Sequence, residues 1–324
     1  MTADTPIIFG TSCLGNLYKV VPFETKVEIA AEWFKAFPKP FVDSAGKYGA
    51  GLSLESIGRA LKELGKKPGD LTISVKLGWR RKPLTTPEPT FEPGAWAGLD
   101  WDAQQDISCE GILRCYEEAK ALLDGYPIDF VSVHDPDEYL GANEGLGLKN
   151  EEWRKRRADI IGAYKALFEL KAKGEVQGVG VGSKDWTVIR DLYRDVKFDW
   201  AMFACAPTLL NHPEELLDFV AQMKRDGVYL IDSAVFNGGF LMGTDMLDYR
   251  KADPAKDAEA FAFREKYLAR CGEYALDPAV PAVQYAYRLG FNAVALNTSS
   301  PRRIRQNAGY AAALVPERFW KEIL

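Results

Sequence analysis

Short apolar runs alternate with longer amphipathic stretches along almost the whole chain. The runs fall at Ile7–Phe9, Phe41–Asp43, Thr72–Lys76, Phe130–His134, Gly178–Val181, Trp200–Phe203, Val228–Asp232 and Ala293–Leu296, each followed by loop-forming residues. Compact apolar runs of this length suit strands buried on both faces of a parallel sheet. Between them the apolar positions recur at helical spacing. Glu24–Phe37 carries Val27, Ile29, Ala30, Trp33, Phe34 and Phe37, and Ser53–Leu64 carries Ile57, Ala60, Leu61 and Leu64. Similar patterns cover Ser108–Leu123, Trp153–Ala172, Trp186–Tyr193, Glu214–Arg225, Val280–Leu289 and Pro301–Ala311, with stop signals such as Lys173-Gly174 and Asp226-Gly227. Eight strand–helix units in succession predict an α/β chain folded as a (β/α)8, or TIM, barrel, with residues 1–324 as one domain. A doubly wound sheet is the alternative, but Phe9-Gly-Thr-Ser-Cys-Leu-Gly15 lacks the glycine spacing of a dinucleotide fingerprint. Two long connections, about 79–106 and 135–150, follow strands. They are expected on the C-terminal face of the barrel, where such folds build their sites.

Composition narrows the function. Of 324 residues, 47% are hydrophobic and 27% charged, enough to fill a large core. Forty-one Lys and Arg against 46 Asp and Glu give a net charge of -5, a poor match to nucleic acid or an anionic membrane. The densest basic run, Arg154-Lys155-Arg156-Arg157, sits beside Glu151 and Glu152 and reads as a solvated helix face. No apolar run approaches the ~20 residues of a membrane span, and the first residues lack the pattern of a signal peptide. Five cysteines, an odd count without C-x-x-C, indicate neither a disulfide framework nor a zinc site; a reducing, cytoplasmic setting is expected. With only His134 and His212 present, no multi-histidine metal centre is expected.

The chemistry-bearing residues stand at strand ends. Asp43 ends the second candidate strand, Lys76 the third and His134 the fourth, and Tyr48 lies just beyond Asp43. Neighbouring strands bring the four to one point. A buried Lys76 needs an anion, and Asp43 is the nearest by topology. An ammonium beside a phenol favours the phenolate, so the Tyr48 pKa is expected to fall and make it a usable proton donor and acceptor. His134 would orient an oxygen. Taken singly each is as readily a structural group; the ordered combination points to acid–base catalysis. Trp79, Trp96 and Trp101 of the first long connection are core or loop packing unless at least one lines a substrate pocket; Trp79 and Trp101, with Tyr18 after the first strand, are the candidates put forward for it. Cys205 reads as a small apolar filler and His212 as a loop residue.

These residues resemble the catalytic tetrad of the aldo-keto reductases: Asp43-Ser-Ala-Gly-Lys-Tyr48-Gly49, a lysine ending the third strand and a histidine ending the fourth. Further segments are similar in order. Gly49-Ala-Gly-Leu-Ser-Leu-Glu55 follows the tyrosine. Gly178-Val-Gly-Val-Gly-Ser183 resembles the segment that holds the nicotinamide carboxamide. Ala234-Val-Phe236-Asn237-Gly-Gly239-Phe-Leu241 resembles the loop that wraps the pyrophosphate, and Ser299-Ser-Pro-Arg-Arg303-Ile-Arg-Gln-Asn307 the adenosine-end motif. The resemblance implies a barrel, NAD or NADP as cofactor, and Ser183, Phe236, Asn237, Gly239, Leu241, Ser299, Arg303 and Asn307 as its contacts. Val133-His-Asp-Pro-Asp137 and Ala204-Cys-Ala-Pro-Thr-Leu-Leu210 look most like the aldose 1-dehydrogenase branch, whose members oxidise a ring hemiacetal to a lactone.

Departures shape the expectation. Gly182-Ser183 stands where the family has Ser-Asn, Ala204 where it often has glutamine, Ser233 where a tyrosine often stacks on nicotinamide, and Ala206-Pro207 where the aldose branch has Arg-Tyr. Asn297 stands in place of the lysine that pairs a 2′-phosphate, which tilts the expected preference toward NAD. The resulting expectation is an NAD(P)-dependent oxidoreductase acting on an aldose at C1, with Tyr48 as general acid and base, working as a monomer or small homo-oligomer. An NADPH-dependent aldehyde or ketone reductase of broad specificity is the alternative, and a nucleotide-binding regulatory subunit a third reading that the intact tetrad opposes.

Overall fold

The computed structural model describes residues 6–142 and 150–324. Eight parallel strands close into a barrel: β1 (Ile7–Gly10), β2 (Phe41–Ala45), β3 (Thr72–Leu77), β4 (Phe130–His134), β5 (Gly178–Ser183), β6 (Trp200–Ala204), β7 (Tyr229–Ser233) and β8 (Ala293–Asn297). Each pairs with its neighbours in sequence, and β1 closes on β8 from Ile7↔Val294 to Gly10↔Asn297. These are the eight strands that the apolar runs predict.

The two-residue strand period explains what lies inside. Ile8, Phe41, Phe130, Trp200, Met202 and Ile231 fill the barrel floor, while alternate residues such as Val42, Val75, Val131, Val133, Val181 and Leu230 pack outward against the helices. The bulk of Trp200 is accommodated by Gly180 on the neighbouring strand, where any Cβ would collide with the indole ring. Two residues on from Phe41 comes Asp43; four on from Phe130 comes His134. The same alternation that buries the floor therefore turns polar groups inward at the C-terminal rim.

Four features differ from the sequence expectation. The connection after β3 is a built structure: Trp79–Pro83 and Trp101–Gln105 form an antiparallel hairpin. Phe91, Trp96, Leu99 and Ala103 make a small core over Ala50. Its arms carry charges and prolines in place of an apolar run, which hid them. After β4, Pro136–Tyr139 is a single helical turn where a loop is expected; residues 143–149 of that expected loop lie outside the described residues. Helices at Ala258–Glu273 and Glu317–Ile323 extend the outer layer. In the first of these only Tyr267 and Cys271 are buried, too thin a stripe to register as periodicity. A short hairpin, Met246–Leu247 with Arg250–Lys251, follows the β7 loop. Among the described residues no helix is long and apolar enough to cross a membrane.

Beneath the rim, Lys26 is buried between the helices Phe23–Ala36 and Leu52–Glu63, and its Nζ donates to Ser56 Oγ at 3.3 Å. It forms no ion pair among the described residues, and burial, opposed by Cys13, lowers its pKa to about 8. The unfolded chain therefore binds more protons between about pH 8 and the ordinary lysine value, so this cost is full below pH 8 and shrinks as pH rises. A Lys26→Met variant should be more stable than the parent at pH 7, by about 1–2 kcal/mol. The gap should narrow toward pH 10 in denaturant titrations; a gap of the same size at both pH values would contradict this account.

Candidate active site

The site is assembled by register. Parallel pairing sets Asp43 opposite Ser74 and Ala45 opposite Lys76, and β4 sets Ser132 opposite Lys76. Lys76 Nζ donates a hydrogen bond to Asp43 Oδ2, and both side chains are almost wholly buried. The same ammonium lies 4.9 Å from the centroid of the Tyr48 ring. Gly182 leaves room for it, since a Cβ there would lie 2.9 Å from Lys76 Cδ. Tyr48 is carried by the turn after β2, where its N–H donates to the Ala45 carbonyl at 3.1 Å. Gly49 follows at φ +62°, packed so tightly on Gly15 that a side chain has no space. Glycine is required there both for the left-handed backbone and for the close approach. His134 meets the Tyr48 ring edge-on at 5.5 Å. Its Nδ1 is buried without a hydrogen-bond partner among the described residues, and its Nε2 is 3.7 Å from Asp135 Oδ2. The structure thus brings Asp43, Tyr48, Lys76 and His134 together.

The electrostatics follow from burial. Desolvation would strip the proton from Lys76, but Asp43 and then Tyr48 outweigh it and hold the lysine above its ordinary value. His134 is pushed well below the ordinary histidine value, first by burial and then by the charges of Lys76 and Lys47, so it is a neutral imidazole. Tyr48 corrects the sequence expectation. Burial raises its pKa, and the opposing pull of Lys76 is partly offset by Asp43. The phenol is therefore the resting form.

A cavity of about 440 Å³ opens at this point. Tyr48, Lys76 and His134 line it, together with Gly182, Met202, Ala204 and Ser233, from β5, β6 and β7, and with Tyr18 and Trp96. Trp96, from the long connection, is the tryptophan that lines the cavity. Trp79 packs behind it on Phe91, and Trp101 is 43% exposed beside Arg81. Neither of these expected pocket residues reaches the lining; the hairpin pairing turns them away. Tyr18 does line the cavity, at 56% exposure. Tyr249, on the tip of the short hairpin, and the charged residues Lys47, Glu92, Asp135 and Lys184 are lining residues that sequence reasoning missed. Lys47 sits inside the tyrosine motif and Asp135 directly follows His134, so position relative to the tetrad was the available signal.

The proposed cofactor contacts are distributed more widely. Ser183 lines the cavity, and its Oγ donates to Asp137 Oδ1 at 2.6 Å. Asn237 is wholly buried, donating through Nδ2 to Asp248 Oδ1 at 2.9 Å, and Leu241 is wholly buried too. In this loop Phe236 and Gly239 are half-buried, and Gly238 and Gly239 are consecutively left-handed. Any ligand here would meet mainly backbone. Ser299 precedes the helix Pro301–Gly309, which carries an exposed Arg303 and a buried Asn307. Among the described residues Arg303 forms no ion pair, whereas Arg305 pairs with Glu32 at 2.7 Å.

A sequence profile of the aldo/keto reductase family matches residues 6–324. The chain belongs to the aldo/keto reductase family. It is an oxidoreductase, and members of the family use NAD(P)(H). It is 29% identical to a pyridoxal 4-dehydrogenase of Microbacterium luteolum, across 98% of this chain and 92% of that protein. It is 26% identical to a D-threo-aldose 1-dehydrogenase of a Pseudomonas species, across 97% and 92%. Among solved structures, a glycerol dehydrogenase from Gluconobacter oxydans superposes with a TM-score of 0.69 at 15% identity, covering 100% of this chain and 94% of that one. An aldo-keto reductase from Bacillus halodurans in holo form gives 0.68 at 19%, covering 98% and 90%. These two likenesses establish the shared barrel.

In this aldo/keto reductase the Lys76–Asp43 pair is testable by a double-mutant cycle. Lys76→Met alone strands a buried carboxylate and should cost ~3–5 kcal/mol. Adding Asp43→Asn should recover a substantial part of that loss in chemical denaturation. Strict additivity of the two losses would show that the pair is not coupled.

Proposed function

We propose that this aldo/keto reductase oxidises an aldose at C1 to its lactone with NAD(P), Tyr48 acting as the proton acceptor. The observation that carries the reading is the convergence of Tyr48, Lys76 and His134, with Asp43 behind them, on one cavity that the small residues Gly182, Ala204 and Ser233 of consecutive strands also line. Their small side chains would leave room for a planar ring beside Tyr48. Ser183 would hold the carboxamide side; the backbone of Phe236, Asn237, Gly239 and Leu241 would hold the pyrophosphate; Ser299, Arg303 and Asn307 would hold the adenosine end. When bound, the nicotinamide accepts or delivers hydride at C4.

The chain's own groups handle the proton. The sugar C1 hydroxyl lies between Tyr48 and His134. Its proton passes to the Tyr48 oxygen as the C1 hydride leaves, and C1 and O1 become the lactone carbonyl. The Lys76 ammonium stabilises the phenolate needed at that moment, and neutral His134 fixes the oxygen without competing for the proton. A substrate with many hydroxyls suits a lining that mixes Trp96, Tyr18 and Tyr249 with Lys47, Glu92, Asp135 and Lys184. The two curated relatives, named for an aldose and for pyridoxal, support a polar ring substrate. Asn297, whose Oδ1 accepts from Cys13 N at 3.4 Å, supplies no cation for a 2′-phosphate, which supports NAD over NADP. The resting phenol of Tyr48 favours a second reading, aldehyde or ketone reduction with NADPH, because a phenol is the form that protonates a nascent alkoxide.

Purified protein with NAD or NADP and a panel of L-fucose, L-galactose, D-arabinose and L-xylose, followed by NAD(P)H absorbance, tests the reading. Oxidation should rise toward alkaline pH, since burial raises the Tyr48 pKa and the phenolate is the acceptor. Tyr48→Phe should lose about 10²–10⁴-fold in turnover and retain nucleotide affinity by fluorescence. Turnover close to the parent in that variant would sink the role of Tyr48. Silence with every sugar but activity on simple aldehydes would favour the reductive reading.

A further inference from the structure

The cavity wall next to the tetrad is a continuous ion network. Lys47 is buried, with Nζ 2.7 Å from Glu92 Oε1, 2.7 Å from Glu138 Oε2 and 3.6 Å from Asp135 Oδ2. Lys184 Nζ lies 2.5 Å from Glu138 Oε1 and 3.4 Å from Asp135 Oδ2. Behind them Asp137 accepts from Ser183 Oγ. Two lysines thus face four carboxyl groups among the described residues, while Lys76 is already matched by Asp43. Each cation is already matched by at least two carboxylates, so an incoming phosphate or carboxylate would meet a wall on which carboxylates outnumber cations. Glu92 is the outermost member, with its side chain about a third exposed. Its Oε2 also accepts from Trp96 Nε1 at 2.8 Å. Among the described residues each oxygen has one partner, which leaves each a lone pair for a hydroxyl or ammonium in the cavity.

We infer that this network, with Glu92 as its cavity-facing member, makes the site selective for uncharged or cationic polyhydroxy substrates and excludes their phosphorylated forms. The inference rests on the proposed carbonyl and sugar chemistry of the same cavity and adds the charge class of its substrate. A like charge held at short range in a partly desolvated cavity is only weakly screened by salt.

The test compares DL-glyceraldehyde with glyceraldehyde 3-phosphate in the reductive direction, which differ only in the phosphate. The expected result is a kcat/KM at least tenfold lower for the phosphate. Glu92→Gln should shrink that ratio several-fold, and Glu92→Asp should largely restore it, which separates lost charge from a disturbed loop. Equal kcat/KM for the two substrates, or an unchanged ratio in Glu92→Gln, would overturn the inference. Absence of turnover with both compounds counts against the reductive reading of the site and not against the charge selection. Calorimetric titration of the resting protein with glycerol and with glycerol 3-phosphate then still decides this point. Binding of the phosphate tighter than glycerol would overturn the charge selection, and its exclusion would support it.

Discussion

A lysine ammonium almost wholly buried at the rim of the barrel is the constraint on which the rest of this structure turns. Lys76 keeps its proton because Asp43 lies on the adjacent strand at bonding distance. Take either away and the other becomes an uncompensated polar group in the core. That pairing dictates the local geometry: Gly182 must lack a side chain to make room, and the β2 turn must bring Tyr48 over the ammonium. Gly49 and Gly15 must then let the turn pack down. The reactive phenol, its charge source and the counterion are thus set by β2, β3 and the turn between them.

Burial acts on Lys76, His134 and Tyr48 with different outcomes, and the differences define their roles. It cannot neutralise Lys76, because two partners favour the charge. It does neutralise His134, where burial is joined by the charges of Lys76 and Lys47. It also keeps Tyr48 protonated at rest, against the expectation from the lysine alone. The lysine effect is real but is offset by the carboxylate that stabilises it. A cation paired with its counterion projects a weaker field than a bare one. The ion network of Lys47, Lys184, Glu92, Asp135 and Glu138 repeats the theme one layer out, where charges are balanced against each other with carboxylates in excess.

The barrel was legible from the chain because buried parallel strands write themselves as apolar runs, and eight of them have one closed arrangement. The strand-end residues Asp43, Lys76 and His134 were legible for the same reason, since period two places them inward once the floor residues are known. The hairpin after β3 was not, because it is a two-sided, partly solvated ribbon carrying Arg80, Arg81 and Lys82 where an apolar run would announce a strand. Trp79 and Trp101 consequently pointed to the wrong indoles: hairpin pairing turns them away from the cavity and leaves Trp96 on its wall.

By itself the sequence determined the fold class and which residue types stand at the barrel rim, because both follow from local periodicity and from the order of elements. Only the tertiary structure decided which side chains share the cavity, how Lys47 and Lys184 are neutralised, and in which direction the Tyr48 proton is held. Those outcomes depend on distances between segments far apart in the chain and on the solvent that packing removes. A one-dimensional pattern carries neither.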